Sequence, residues 1–208
     1  MSEKIKIAGL CGRSGSGKGY VCRIFEEMGI PSIDTDAVYR SLVTGGGSNP
    51  SPCLTAIAEA FGAGVLNAAG DLNRQALADI VFAPGAGACL QRLNAITHKY
   101  IKEATQRQIV FLEKAGYRAV LIDAPVLFES GFDKLCDVIF YVCAPDTVLI
   151  QRICARDGIT EEQARRRLDA QMSDAELALR CDGVIRNDGF SDVKVQVAKL
   201  TKQFSLRT

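Results

Sequence analysis

Residues 5–20 read IKIAGLCGRSGSGKGY, and this stretch decides the fold. The apolar run at 5–10 has the length and composition of a buried strand, and the pattern at 20–28 is helical. Between them, residues 12–18 match G-x-x-x-x-G-K. In this pattern glycines let backbone N–H groups approach phosphate oxygens at a helix N-terminus, and the lysine reaches the β- and γ-phosphates. The stretch therefore predicts a P-loop for a nucleoside triphosphate.

The predicted nucleotide-binding residues are the loop and the start of the helix after it. They are Gly12, Arg13, Ser14, Gly15, Ser16, Gly17, Lys18, Gly19 and Tyr20. Gly19 stands where a Ser or Thr hydroxyl normally ligates magnesium, so the metal would take a water there or rely on carboxylates elsewhere. One alternative is a nucleotide binder that is metal-independent or non-catalytic. The other is that residues 12–18 form a glycine-rich turn with a purely structural role, in which the lysine is incidental.

Composition and charge narrow the class of protein. The 208 residues are 48% hydrophobic and 24% charged, which suits one soluble α/β domain with elaborations. With 25 Lys and Arg against 24 Asp and Glu, the chain lacks the basic excess of a nucleic-acid or membrane-surface binder. The first apolar run is too short for a signal peptide or a membrane span, so we expect a cytoplasmic protein. The eight cysteines include no C-x-x-C pair and are expected to be reduced.

Strand and helix signals alternate along the chain. Further apolar runs of strand length lie at 30–33, 119–122, 138–143 and 183–185, a pattern typical of a parallel sheet covered on both faces. The largely helical segment between the second and third runs is far longer than an ordinary crossover and predicts a separate substrate-binding subregion. Within it, residues 45–50 are predicted to form a flexible connector.

Helix starts carry recognisable capping signals. The candidates are the capping boxes Thr160 with Gln163 and Ser173 with Glu176, the N-caps Asp71 and Ser191, and Pro145 in a first turn.

Carboxylates follow the second and third predicted strands, where ligands of open parallel sheets bind. Asp34 and Asp36 share one face of an extended segment and could flank a substrate hydroxyl or a hydrated magnesium ion. The alternative is that one of them caps the helix beginning near Ala37. Asp123 stands where P-loop enzymes commonly hold metal, with a loop hydrogen bond as the alternative. For Glu129, in the next loop, the two readings stay balanced.

Two arginines lie four residues apart on the helix opened by Pro145. Arg152 and Arg156 project from one face and could neutralise charge on a transferring phosphoryl group. The alternative is a solvated face paired with Asp157 and Glu161.

Taken in order, these segments resemble the dephospho-CoA kinase family over nearly the whole chain. The P-loop alone indicates a superfamily, and the later segments narrow it to this family. The segments are LCGRSGSGK at 10–18, GIPSIDTD at 29–36, DAPVLFESG at 123–131, APD at 144–146, QR at 151–152, RDGIT at 156–160, AQM at 170–172 and DGVIRNDG at 182–189.

The resemblance implies an α/β P-loop fold of three layers with a five-stranded parallel sheet, a helical substrate-binding insertion and a helical lid. Within a single domain, the implied nucleotide-binding core comprises 1–36, 117–145 and 182–208. The implied CoA-substrate subregion is 37–116, and the implied lid is 146–181.

The activity implied by the resemblance is ATP-dependent phosphorylation of the ribose 3′-hydroxyl of dephospho-CoA, with Mg²⁺. This is the last step of coenzyme A biosynthesis. Asp36 would be the general base or orienting group, Lys18 and Arg152 would stabilise the moving phosphoryl group with help from Arg156, and Asn187 would lie near the adenine. We expect a small-molecule enzyme, with a monomer favoured and no nucleic acid or membrane partner. The alternatives are another small-molecule or nucleotide kinase and a nucleotide-binding regulatory protein that has lost its chemistry.

The resemblance also implies substrate contacts and a metal site. The implied substrate-binding residues are Asp34, Asp36, His98, Pro125, Leu127 and Phe128, and the metal candidates are Asp123 and Asp36. The chain departs from the family pattern at Arg13, where glycine is usual, at Gly19, and at Lys99, where proline usually follows the histidine. A lone histidine such as His98 is otherwise expected to be structural.

Overall fold

The computed structural model describes residues 4–45 and 50–206, so positions 46–49 of the predicted connector lie outside the described residues. Contacts divide the chain into two units. The first comprises residues 1–33 and 111–208, and the second comprises residues 34–110.

A five-stranded parallel sheet confirms the predicted fold class. Its strands are β1 Lys6–Cys11, β2 Ser32–Asp34, β3 Ala119–Asp123, β4 Val138–Cys143 and β5 Gly183–Arg186. Their order across the sheet is β2-β3-β1-β4-β5, so β1 is the central strand. In register, Ala8 of β1 lies opposite Leu121 of β3 and Val138 of β4. Because β1 is central, the P-loop emerges from the middle of the carboxyl edge of the sheet.

Nine α-helices occur in the described parts of the chain. In the first unit they are α1 Lys18–Glu27, α6 Asp146–Asp157, α7 Glu161–Asp169, α8 Asp174–Arg180 and α9 Val193–Gln203. The second unit contains α2 Thr35–Leu42, α3 Pro52–Phe61, α4 Arg74–Val81 and most of α5 Gly87–Lys114. Short 3₁₀ helices lie at Ala63–Val65 and Asp133–Leu135.

The core of the first unit fixes the strand and helix that flank the P-loop. Phe25 of α1 stacks on Phe140 of β4 with ring centroids 5.9 Å apart, and Phe204 meets Phe140 edge-on at 5.6 Å. Each fully buried aromatic side chain contributes about 1.5–3 kcal/mol through removal of apolar surface from water. An aromatic cluster thereby packs the second half of α1 against β4.

The second unit has an apolar core of its own. Leu54 and Ile57, three residues apart on α3, are fully buried and pack with Leu77 and Val81 of α4. Tyr39 of α2 packs against the same cluster. The sequence between β2 and β3 therefore builds a separate helical unit.

Helix starts agree with the sequence signals in part. Both predicted capping boxes form, at the starts of α7 and α8. However, Asn73 caps α4 where Asp71 was predicted, and Asp192 caps α9 where Ser191 was predicted. Ser191 instead donates a hydrogen bond from its hydroxyl to Asp188 at 3.0 Å, so its side chain takes part in a local turn and does not cap the helix.

All eight cysteines are free thiols. Cys11 and Cys181 lie with their sulfur atoms 3.4 Å apart. The hydrogen bond between the two thiols lowers the pKa of Cys181, and the same contact together with burial raises the pKa of Cys11.

In the described parts of the chain, no helix combines the length and apolarity that a membrane span requires.

Candidate active site

The P-loop conformation requires glycine at two positions. Gly15 and Gly17 have φ angles of 80° and 86°, in the left-handed region that L side chains rarely adopt. A Cβ atom on Gly17 would lie 2.2 Å from Nδ2 of Asn187, and one on Gly15 would lie 2.7 Å from the carbonyl oxygen of Leu149. The loop is therefore both turned and closely packed, as the sequence motif predicts.

Gly12 closes the base of the same loop. A Cβ there would lie 2.6 Å from Oγ of Ser16 and 2.7 Å from the carbonyl oxygen of Val142. Ser16 is 1% exposed, so its hydroxyl is enclosed beneath the loop.

Two predicted lid arginines reach the P-loop from α6. Nη1 of Arg152 donates to the carbonyl oxygen of Gly15 at 3.3 Å, and Nη2 of Arg156 donates to Oγ of Ser14 at 3.2 Å. The structure therefore brings both arginines beside the phosphate-binding loop.

The alternative interpretation of Arg156, an ion pair with a neighbouring carboxylate on its own helix, is confirmed in part. Its Nε lies 2.7 Å from Oδ1 of Asp157, and this hydrogen bond raises the pKa of Arg156. Glu161, the other partner considered, lies 4.0 Å from Arg165 instead. Arg156 thus divides its guanidinium between Asp157 and the loop.

Lys18 begins α1 and lies near the candidate metal ligand. Its Nζ is 3.9 Å from Oδ1 of Asp123, at the end of β3. The Lys18 and Asp123 side chains are 17% and 20% exposed. The lysine, at the start of a helix, suits phosphate binding. The neighbouring carboxylate of Asp123, which is partly exposed, suits metal binding.

The donors present fit a sparsely ligated magnesium ion. A Cβ on Gly19 would meet nothing within 4 Å, so the space beside Gly19 is open. Within residues 4–45 and 50–206, no cluster of three or more His, Cys, Asp or Glu could hold a metal. Mg²⁺ usually keeps several waters and binds through one or two carboxylates plus substrate phosphates. Asp123 alone, with water and phosphate, meets that requirement.

Asn187 supports the loop from below, a contact that the sequence analysis did not predict. Its Nδ2 donates to the carbonyl oxygen of Ser16 at 2.8 Å, and the residue is 8% exposed. Its backbone N–H also donates to the carbonyl oxygen of Cys143, beyond which β4 ends. Asn187 is thus fixed at both its backbone and its side chain.

Arg13 is a buried residue that pairs with two exposed aspartates, a network that the sequence analysis missed. Its Nη1 lies 2.8 Å from Oδ1 of Asp146 and 3.2 Å from Oδ1 of Asp174. Tyr141 donates its hydroxyl to the same oxygen of Asp174, and burial followed by this bond raises the pKa of Tyr141. Burial by itself would lower the pKa of Arg13, but the two aspartates outweigh it and the pKa of Arg13 is raised. The one sequence signal for this network was Arg13 itself, because a positive charge within a tight loop favours a negatively charged partner.

A small cavity adjoins the loop and brings together the predicted substrate contacts of the first unit. Its volume is about 140 Å³, and Pro125, Leu127 and Phe128 line it together with residues 11–13 and 170–172. Glu129, the undecided candidate, also lies on its wall. The guanidinium of Arg180 sits 5.0 Å from the centroid of the Phe128 ring, a further contact that the sequence did not indicate.

Three predicted residues belong to the second unit. Asp34 is the N-cap of α2: its Oδ1 accepts from the backbone N–H groups of Asp36 and Ala37 at 2.8 and 3.0 Å. Its Oδ2 pairs with Arg40 at 3.3 Å, so the capping alternative describes Asp34. Asp36 is exposed in the first turn of α2. His98 is half-buried on α5, and burial lowers its pKa.

A parallel sheet with a glycine-rich loop between its central strand and the next helix, approached by lysine and arginine side chains, defines a P-loop kinase. The family model described as dephospho-CoA kinase matches residues 6–192. The chain therefore belongs to the dephospho-CoA kinase family, whose members are ATP-dependent kinases.

Individual relatives agree with this assignment. The dephospho-CoA kinase of Syntrophotalea carbinolica is 40% identical over 184 residues, which cover 88% of this chain and 84% of that protein. The dephospho-CoA kinase of Corynebacterium diphtheriae is 36% identical and covers 94% of both chains. The crystal structure of TT1252 from Thermus thermophilus superposes with a TM-score of 0.80 at 26% identity, covering 97% of this chain and 98% of that one.

Proposed function

We propose that this chain transfers the γ-phosphoryl group of ATP to the ribose 3′-hydroxyl of dephospho-CoA, giving CoA and ADP. The observation that carries the proposal is the approach of Lys18, Arg152 and Arg156 to one P-loop in a member of this family. A pure nucleotide binder has no need of two further arginines directed at the loop. Their arrangement therefore favours phosphoryl transfer over binding alone.

The three cations would act on the phosphoryl group as it moves. Phosphoryl transfer spreads negative charge over the transferred oxygens, and prearranged donors stabilise that charge without reorganisation. Lys18 would reach the β- and γ-phosphates from the start of α1. Arg152 and Arg156 would approach from α6, which starts the proposed lid at 146–181.

We propose Asp123 as the protein ligand of Mg²⁺, with water in the place of the hydroxyl that Gly19 lacks. When bound, Mg²⁺ would offset negative charge on the phosphates. Asp123 would hold it beside Lys18, and the P-loop backbone would orient the phosphates. Asp36 is the second metal candidate.

On the acceptor side, we propose Asp36 as the general base or orienting group for the 3′-hydroxyl. Its carboxylate is exposed, and within the described residues it makes no side-chain hydrogen bond or ion pair, which leaves both oxygens available to a substrate hydroxyl. Asp34 and His98 in the proposed subregion 37–116, and Pro125, Leu127 and Phe128, would contact the substrate. Asn187 would lie near the adenine of ATP.

The remaining expectations concern the setting of the enzyme. The net charge of +1 supports a small-molecule substrate over a nucleic acid. We expect a cytoplasmic monomer, and light scattering on the purified chain would measure its mass.

The test of the proposed function is direct. We would incubate the purified chain with ATP, Mg²⁺ and dephospho-CoA and look for coenzyme A by mass. Lys18→Ala should abolish product, and Asp36→Asn should lower the maximal rate while ATP binding persists. Nucleoside monophosphates and nucleosides would be offered as competing acceptors.

Two results would overturn the proposal. Preferred phosphorylation of a nucleoside or its monophosphate would favour another small-molecule kinase. ATP binding without product at every magnesium concentration would favour a regulatory protein.

A further inference from the structure

Arg13 is a charged side chain within the P-loop, and it does not project into solvent. It is 9% exposed, and none of residues 12–17 is fully exposed. A buried guanidinium is tolerated only when carboxylates compensate its charge at close range. Asp146 and Asp174 do so, at 2.8 and 3.2 Å from Nη1. The guanidinium of Arg13 is therefore held by protein partners through Nη1.

The two aspartates hold equivalent places in two different helices. Asp146 is the first residue of α6, and Asp174 is the first residue of α8. Carboxylates in a first helical turn are favoured by the helix dipole, so both positions suit their helices as well as Arg13. One guanidinium thus ties the P-loop to the start of α6 and to the start of α8.

These helices delimit the segment that carries the lid arginines. Arg152 and Arg156 lie on α6, and their contacts with the P-loop are long, at 3.3 and 3.2 Å. Gln171, just before α8, accepts a hydrogen bond from the backbone N–H of Ser14 at 3.0 Å. The Arg13 contacts are ion pairs between opposite charges, in which the guanidinium is enclosed and both carboxylates are exposed.

We propose that Arg13 is a positioning residue that holds the P-loop in its phosphate-binding form and sets the approach of Arg152 and Arg156. It acts through Asp146 and Asp174 and touches no reacting atom. The inference rests on the proposed function for its kinetic part, whereas its binding part requires only that the P-loop binds ATP.

The geometry also predicts which replacement preserves the role. Both ion pairs use one nitrogen, Nη1, and Nε is buried without a hydrogen-bond partner among the described residues. A lysine keeps the positive charge near both carboxylates and removes the unsatisfied donor, although its side chain is shorter than that of arginine. A methionine fills the space of the apolar stem of the arginine, but it supplies no charge.

The experiment compares Arg13→Met with Arg13→Lys in the full chain. ATP affinity would be measured by titration without acceptor, alongside Tm and the steady-state constants. Because charge-assisted hydrogen bonds are the strong ones, we expect Arg13→Met to weaken ATP binding and to lower kcat, each by about tenfold or more. The KM for dephospho-CoA should not change, and Arg13→Lys should restore part of both losses.

Arg166→Ala is the matched control, since Arg166 pairs with Glu162 at 3.3 Å on the exposed face of α7. It should leave ATP affinity and kcat unchanged. If Arg13→Met does not fold, Asp146→Asn removes one half of the network from a 59% exposed side chain and should weaken ATP binding in the same direction.

A lowered Tm with unchanged ATP affinity and kcat would show that Arg13 is only structural, and the inference would be refuted. If the wild-type chain binds ATP but makes no coenzyme A, the proposed function fails while the comparison of ATP affinities still tests Arg13.

Discussion

Gly17→Ala should damage the P-loop far more than Gly19→Ala, two residues further on. At Gly17 the φ angle is 86°, and the new Cβ would lie 2.2 Å from Nδ2 of Asn187. A left-handed conformation costs an L residue about 1–2 kcal/mol. Asn187 must also move away and release its buried hydrogen bond to Ser16, which costs about 1–3 kcal/mol. Together these terms amount to about 3.5 kcal/mol, the sum of the midpoints of the two ranges.

Gly19 supplies the control because it shares the loop but not the constraint. It lies in the first turn of α1, and a Cβ there meets nothing within 4 Å. Alanine is favoured over glycine in helices by up to about 1 kcal/mol, so Gly19→Ala should leave the protein as stable or slightly more stable.

Thermal melting and ATP titration would measure both variants. For a chain of this size a loss of about 3.5 kcal/mol corresponds to a Tm lowered by about 7–14 °C. ATP binding by Gly17→Ala should be lost, since the loop can no longer turn beneath the phosphates. If Gly17→Ala melts with the wild type and binds ATP equally well, the account of the loop given above is wrong.

Three further predictions follow from single side chains. Gly19→Ser should lower the Mg²⁺ concentration needed for half-maximal activity and strengthen the Mg²⁺-dependent rise in Tm with ATP, because a hydroxyl fits the open space; an unchanged Mg²⁺ requirement would contradict this. Burial lowers the pKa of His98 below its ordinary 6.5, so the unfolded state takes up the proton first as the pH falls. Stability should therefore fall from about pH 7.5 to about pH 5.5, and His98→Gln should flatten that slope in melting curves. Mild alkylation should label Cys181 before Cys136, because the Cys11 thiol lowers the pKa of Cys181 while burial raises that of Cys136 to about 12; peptide mass mapping would show the order.

The sheet was largely predictable because buried parallel strands consist of nearly continuous apolar residues. The run at 138–143 coincides with β4, whereas the run at 30–33 begins two residues before β2. Pro31 explains the shift, since it has no N–H for the ladder and contributes only its carbonyl oxygen, which accepts from Leu121. The motif and the apolar pattern were sufficient to place the P-loop at the end of β1.

The site was predictable only where a residue type dictates its own role. Glycines and a lysine at fixed spacing define a phosphate loop by local geometry, so residues 12–18 were within reach of the sequence. The partners of Arg13 could not be predicted, because Asp146 and Asp174 lie far along the chain and their local sequence does not indicate a contact with Arg13. Asp34 and Asp36 were equally ambiguous, because an aspartate after a strand serves a ligand or a helix cap with the same chemistry.

The P-loop owes its shape to side chains that arrive from much later in the sequence. Glycines allow the turn but restrain it little, because each brings maximal backbone freedom and no side chain. The restraint comes from Asn187 beneath Ser16 and from Arg13 held by the two helix starts. A peptide spanning only β1, the loop and α1 would therefore contain the whole motif and still lack the conformation that binds phosphate. Phosphate binding is in this sense a property of the complete first unit. A substitution that weakens any of those distant contacts should therefore lower the affinity for ATP before it has other effects.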